Sequence, residues 1–155
     1  MTEVNETYPL QPLRFRVWDS KNKRMIYKSG PECYELTLHG NAHYYRRQID
    51  GKVDGDMFSS KGDGLIFSQW TGLKDAKGKE IYSGDILKNS SMWPIYIGVV
   101  VHFEGSYWVK SVETDLYATV TLNSEGASRL LVLGNIWENG DLLIAPAEAK
   151  KAFPE

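Results

Sequence analysis

Few residues of this chain are typed and spaced for chemistry. Asp85 directly follows Gly84 and lies three residues past Tyr82. Together with Trp70 these residues would form an unfamiliar enzyme site in which Asp85 holds a ligand or moves a proton. The competing reading makes Gly78, Gly84 and Asp85 structural corners. Glycine supplies the conformation a turn requires, and an aspartate after it ties off backbone amides left free by the bend. The second reading is the more economical, because it uses ordinary turn chemistry.

Arginine and tryptophan supply the next candidate. Leu13, Phe15 and Val17 alternate with Arg14, Arg16 and Trp18, so a strand would place the two arginines and Trp18 on one face. With Arg46, Arg47 and Trp70 they would make an arginine and aromatic surface of the kind that stacks bases and neutralises phosphates. The plainer expectation is a solvated strand face with arginine lying over a ring, worth about 0.5–1 kcal/mol when exposed.

Other chemistry falls short of its pattern. His39 and His43 are four apart, but Gly40-Asn41 between them is poor helix and no further ligand completes a metal set. Asp50 to Asp56 and Lys61 to Gly64 resemble an acidic calcium loop only in composition. Lys52 occupies its third position, Phe58 its fifth counted from Asp54, and no glutamate stands twelfth. Cys33 is the single cysteine, which excludes an intrachain disulfide, and it has no nucleophile's partner pattern. There is no nucleophile elbow, phosphate loop, dinucleotide fingerprint or His-Glu-x-x-His. No catalytic residue, cofactor or metal is therefore expected.

Strands and turns must position these groups. Leu13–Trp18 and Arg24–Lys28 form a hairpin around the polar turn Asp19–Lys23. Tyr34–His39 and Ala42–Arg47 form another, followed by turns and a variable loop to Gly64. Leu65–Trp70 is a strand, and Asp75-Ala-Lys-Gly78 carries the residues of a type I turn closed by glycine. Ile95–Phe103 is the most strongly β stretch. It belongs in the middle of a sheet or against another chain, since an open apolar edge invites aggregation. Tyr107–Val112, Tyr117–Leu122 and Arg129–Leu133 follow as strands, with a loop over Asn123–Ser128. Asn135 marks a left-handed or bulged position, and Leu142–Ile144 extends after a turn. Pro146 opens a short helix, Ala147–Phe153.

The expected architecture is mostly β, in several twisted antiparallel sheets. Residues 1–12 form a flexible leader, 13–70 a lobe of hairpins, 71–144 a small SH3-like, partly open barrel, and 145–155 a short helix and tail, all within one domain.

Three blocks of sequence resemble the YopX family of phage and prophage proteins: TGLKDAKGKEIYSGDILK from Thr71 to Lys88, RFRVWDSKNKRMIY from Arg14 to Tyr27, and VLGNIWENGDLL from Val132 to Leu143. They stand in family order, so the resemblance spans about Leu13 to Leu143. It implies a mostly β fold and a viral or prophage origin, and it carries over no catalytic residue. The leader Met1–Pro12 and the middle Cys33–Gly64 depart from the family pattern.

Composition narrows the function classes. The chain has 155 residues, a net charge of −2, nine Tyr, five Trp and five Phe, a balance that favours strands. Residues 1–47 hold eight Arg or Lys against five acids, and 48–155 hold ten against fifteen. That bias is too small for a non-specific nucleic-acid coat. The acidic, apolar-poor opening is unlike a signal peptide. The longest apolar run, Ile95–Val101, falls far short of the roughly 18–20 residues of a membrane span. The expectation is a cytoplasmic, non-enzymatic accessory protein with no membrane role. It would bind a protein partner, self-associate as a homo-oligomer, or both. Nucleic-acid binding through the arginine face is the alternative, and an unrecognised enzyme the second alternative.

Overall fold

The computed structural model describes residues 13–27, 32–36, 42–47, 53–58, 64–89, 96–111 and 119–143. In chain order the strands are β1 (Phe15–Asp19), β2 (Arg24–Tyr27), β3 (Glu32–Leu36), β4 (Ala42–Arg47), β5 (Val53–Phe58), β6 (Leu65–Lys74), β7 (Glu80–Tyr82), β8 (Asp85–Asn89), β9 (Ile97–Phe103), β10 (Ser106–Ser111), β11 (Thr119–Thr121) and β12 (Leu130–Asn135). A one-turn helix, α1 (Ser124–Ala127), precedes β12, and a 3-10 turn covers Gly140–Leu143. The protein is mostly β, as its alternation and aromatic content require.

Three antiparallel sheets result: a four-stranded one ordered β2-β1-β6-β7, a curled five-stranded half-barrel ordered β11-β10-β9-β8-β12, and a three-stranded one ordered β3-β4-β5. The strongest β segment, β9, occupies the centre of the half-barrel, where both its edges are paired. Inside the half-barrel Ile81, Leu87, Val100, Val109, Leu122, Ala127 and Leu130 make one core. Burial of each large aliphatic chain contributes about 1.5–3 kcal/mol. Val17 and Ile26 form a smaller cluster with Phe15, Leu65 and Phe67 on the four-stranded sheet. There Phe15 meets Phe67 edge to face, with centroids 6.4 Å apart.

Aspartates organise the tight turns. Asp75 Oδ1 accepts the amides of Lys77 and Lys79, both at 2.8 Å, while the Gly78 amide donates to Asp75 O at 2.9 Å. Gly78 has φ +82°. In the first hairpin Asp19 accepts the backbone amides of Lys21 and Asn22 and the Asn22 side-chain amide. Burial alone would raise both carboxyls. The donated hydrogen bonds outweigh it, and both are held below the ordinary aspartate value of 3.8.

A depressed native pKa stabilises the fold above the unfolded value, and the contribution is lost as pH falls through the native one. Urea unfolding should therefore show Asp75 supporting the native state at pH 5 and losing that support progressively below about pH 4. Buried Asp85, whose carboxyl is raised, works in the opposite sense, so the check is a difference. The gap in stability between wild type and Asp75→Asn should shrink from pH 5 to pH 3, and a constant gap would contradict the assignment.

Five expectations are corrected. The stretch assigned to turns after Asp50 contains β5, which pairs along β4 from Val53 to Phe58. The Asn123–Ser128 loop contains α1, because the Asn123 side chain caps it by accepting the Gly126 amide at 2.8 Å. Asn135 is neither left-handed nor the bulge. The register shift lies between Val132 and Gly134, and buried Asn135 instead accepts the amides of Trp137 and Glu138. The 3-10 turn takes in Leu142 and Leu143, which were expected to extend, while Ile144 lies outside the described residues. β6 runs from Leu65 to Lys74 and β7 joins its sheet, so the expected division at residue 70 falls inside one strand. The leader and the Ala147–Phe153 helix lie outside the described residues.

Candidate functional site

Strand alternation builds a buried polar cluster between β1, β6, β7 and β8. β1 pairs with β6 so that Arg16 faces Ser68, and the ladder continues through the Trp70 amide to Arg14 O at 2.8 Å. Trp70 in turn pairs with Tyr82 on β7. One sheet face thus brings together Arg14, Arg16, Trp70 and Tyr82, and the Gly84 corner then swings Asp85 beneath them.

The contacts form a chain. The Arg14 guanidinium lies 4.7 Å from the Trp70 ring centroid, and its Nη1 donates to Glu80 Oε1 at 2.7 Å. Glu80 Oε2 accepts the Tyr82 hydroxyl at 2.8 Å. Arg16 lies over the Tyr82 ring, again at 4.7 Å. Its Nε donates to Ser68 Oγ at 3.2 Å and its Nη2 to Asp85 Oδ1 at 2.5 Å. Ser68 Oγ donates onward to Ser83 O at 2.6 Å, and Asp85 Oδ2 accepts the Tyr82 amide at 2.8 Å. Both oxygens of Asp85 are engaged, and its side chain is fully enclosed.

The electrostatics follow from burial. Desolvation raises the Asp85 carboxyl, opposed by Arg16 and by the Tyr82 amide. Burial and the bond to Glu80 push the Tyr82 hydroxyl up to about 12, so it remains a hydrogen-bond donor at neutral pH. Arg14 and Glu80 are the partly exposed members, at 47% and 33%. The arrangement ties one sheet to the other and puts a stacked arginine at the surface.

The expected arginine face is thus divided. Arg16 and Trp18 are 4% and 5% exposed. They leave the solvent-facing surface, because Arg16 is spent on Asp85. Arg14 and Trp70 remain together near the surface. Arg46 and Arg47 end β4, and their side chains, like those of Cys33 and His43, lie outside the described residues, as does His39. Gly84, at φ +80°, takes the expected corner role with Asp85. Its amide bonds Val100 O and its carbonyl accepts the Ile136 amide. Glu80 and Ser68 were not singled out from sequence. The pairing of β6 with β1 and β7 reveals them, and neither residue has a local signature.

A second surface lies on the outer side of the half-barrel. Val100 and Val109 point into the core, so Ile97, Val99, Val101 and Phe103 face outward. On the inner face Gly98 lets the strands close up: a Cβ on it would stand 2.8 Å from both Lys110 O and the core-facing Val109 Cγ1. Register places Trp108 opposite Val101 and Ser106 opposite Phe103 on that outer face. Trp108 is pinned by donating its indole N–H to Phe103 O at 3.1 Å, and Phe103 is 61% exposed. Toward β8 the face is covered, since Ile86, paired with Val99, is fully buried. No described helix is long and apolar enough to cross a membrane.

Comparison with known proteins agrees with this fold. The family model described as YopX protein matches residues 14–144. The crystal structure of protein EF1440 from Enterococcus faecalis is similar, with a TM-score of 0.58 and 22% identity over 86% of this chain and 99% of that one. The crystal structure of protein yopX from Bacillus subtilis is similar too, with a TM-score of 0.62 and 18% identity over 83% of this chain and 95% of that one. At these identities the likeness is one of fold. No curated protein matches the chain significantly.

Proposed function

The chain belongs to the YopX protein family, and on that premise we propose that it is a non-enzymatic accessory protein of phage or prophage origin. It works in the cytoplasm by binding a protein partner or another copy of itself, with the SH3-like half-barrel as the binding module. The observation that carries this reading is the outward face of β9 and β10. Phe103 projects there beside a Trp108 already held in place by its hydrogen bond. A pre-oriented aromatic on an apolar sheet face provides contact area at low entropic cost, and such anchors dominate interface energetics.

The polar cluster supports the non-enzymatic part. Asp85 is enclosed and doubly engaged, and Tyr82 is bonded to Glu80. The arginine alternative would need Arg16 free for a phosphate, and its guanidinium is committed to Asp85. Light scattering across micromolar concentrations and capture from host lysate provide the test. Wild type should associate with itself or retain a defined host protein. Phe103→Glu combined with Trp108→Ala should weaken that association at least about 10-fold. A strict monomer that captures nothing would overturn the proposal, as would unchanged association in the double variant.

A further inference from the structure

β12 lies at the open edge of the half-barrel, and its sequence opens with Leu130-Leu-Val-Leu133. A flat apolar edge with unpaired backbone groups is a template on which another strand can add. Here that edge is occupied from within the chain. The Ala76 amide donates to Leu130 O at 2.9 Å, and the Val132 amide donates to Asp75 Oδ2 at 3.0 Å. Leu130 and Val132 alternate along the strand, so both groups point away from β8. The turn therefore supplies the acceptor and the donor that an incoming strand would supply. Beyond it the bulge between Val132 and Gly134 breaks the edge, and the Asn135 amide goes to Asn139 Oδ1 at 3.2 Å.

We propose that the Asp75–Gly78 turn is a built-in cover over the edge of β12 that blocks strand addition by a second copy of the chain. The inference is independent of the outer face around Phe103, since it concerns the rim of the sheet. The two bonds can be removed without removing the turn. Ala76 occupies the second position of the Asp75–Gly78 turn, where proline is favoured, so Ala76→Pro deletes one donor in a compatible conformation. Asp75→Asn keeps one oxygen for the amides of Lys77 and Lys79 and replaces the other acceptor with a donor.

The experiment measures mass by light scattering and strand content by circular dichroism, in the full chain carrying Phe103→Glu and Trp108→Ala, over concentrations at which association through the outer face is lost. The parent should keep one mass at every concentration. Asp75→Asn/Ala76→Pro should at least double in mass as concentration rises while retaining its strand signal, with Ala76→Pro alone intermediate. Adding Leu133→Lys, a charge at an exposed edge position, should return the double variant to the parent mass. Unchanged mass in the folded double variant overturns the proposal. Loss of the strand signal in both Ala76→Pro and the double variant overturns it too, because the turn is then a folding element and not a cover.

Discussion

Asp85→Ala should destabilise the protein by about 3–5 kcal/mol, the usual result of stripping one partner from a buried ion pair. The substitution leaves the Arg16 guanidinium, 4% exposed, without a counter-charge. It also orphans the Tyr82 amide, which now donates to Asp85 Oδ2. Arg16→Ala should cost a similar amount for the mirror-image reason, with the Tyr82 ring losing its stacked cation as well.

The informative variant is the double replacement Arg16→Met/Asp85→Leu. Two apolar side chains of similar volume avoid the desolvation that both charges suffer, so the double variant should recover the loss due to the unpaired charge and keep the cost of the unpaired Tyr82 amide, about 1–3 kcal/mol. Denaturant midpoints for wild type, Arg16→Met, Asp85→Leu and the double variant close the cycle. If the two single losses simply added in the double variant, Arg16 and Asp85 would be independent and the pair would not be the link between the sheets.

Gly84→Ala should cost about 2–5 kcal/mol, combining left-handed backbone strain with overpacking. Gly84 has φ +80°, and an added Cβ would lie 2.6 Å from Trp137 Cη2 and 2.9 Å from Cζ3. The ring has little room to retreat, since the chain around it is fixed by Asn135 accepting the Trp137 amide and by the Ile136 amide bonded to Gly84 O. Gly78→Ala is the control. Its φ of +82° is nearly the same, yet nothing lies within 4 Å of its added Cβ. Gly78→Ala should therefore show the backbone cost alone, about 1–2 kcal/mol. Equal losses at the two glycines would remove the Trp137 contact as an explanation.

The two glycines also mark where sequence reasoning stops. Both read as turn glycines from their neighbours, and both adopt positive φ. That Gly84 alone is pressed against an indole depends on Trp137, more than fifty positions along the chain.

Local pattern by itself determined the mostly β character, because alternation and turn chemistry act over a few residues. It set the β1–β2 hairpin around Asp19, the Asp75–Gly78 turn and the corner at Gly84 and Asp85, and it left β9 either central or against another chain. Which face of each strand would be buried was decided by tertiary structure. The alternation in β1 separated Arg16 and Trp18 from Val17 correctly, yet nothing in it indicated that both faces would be covered. Arg16 became an internal ion because β8 delivers Asp85 to it from 69 residues away, and burying a guanidinium is tolerable only where such a partner is waiting. The same holds for Asp75, whose second oxygen reaches Val132 across 57 residues. Short-range chemistry specified the turns, and only the closing of the sheets decided what each turn would hold.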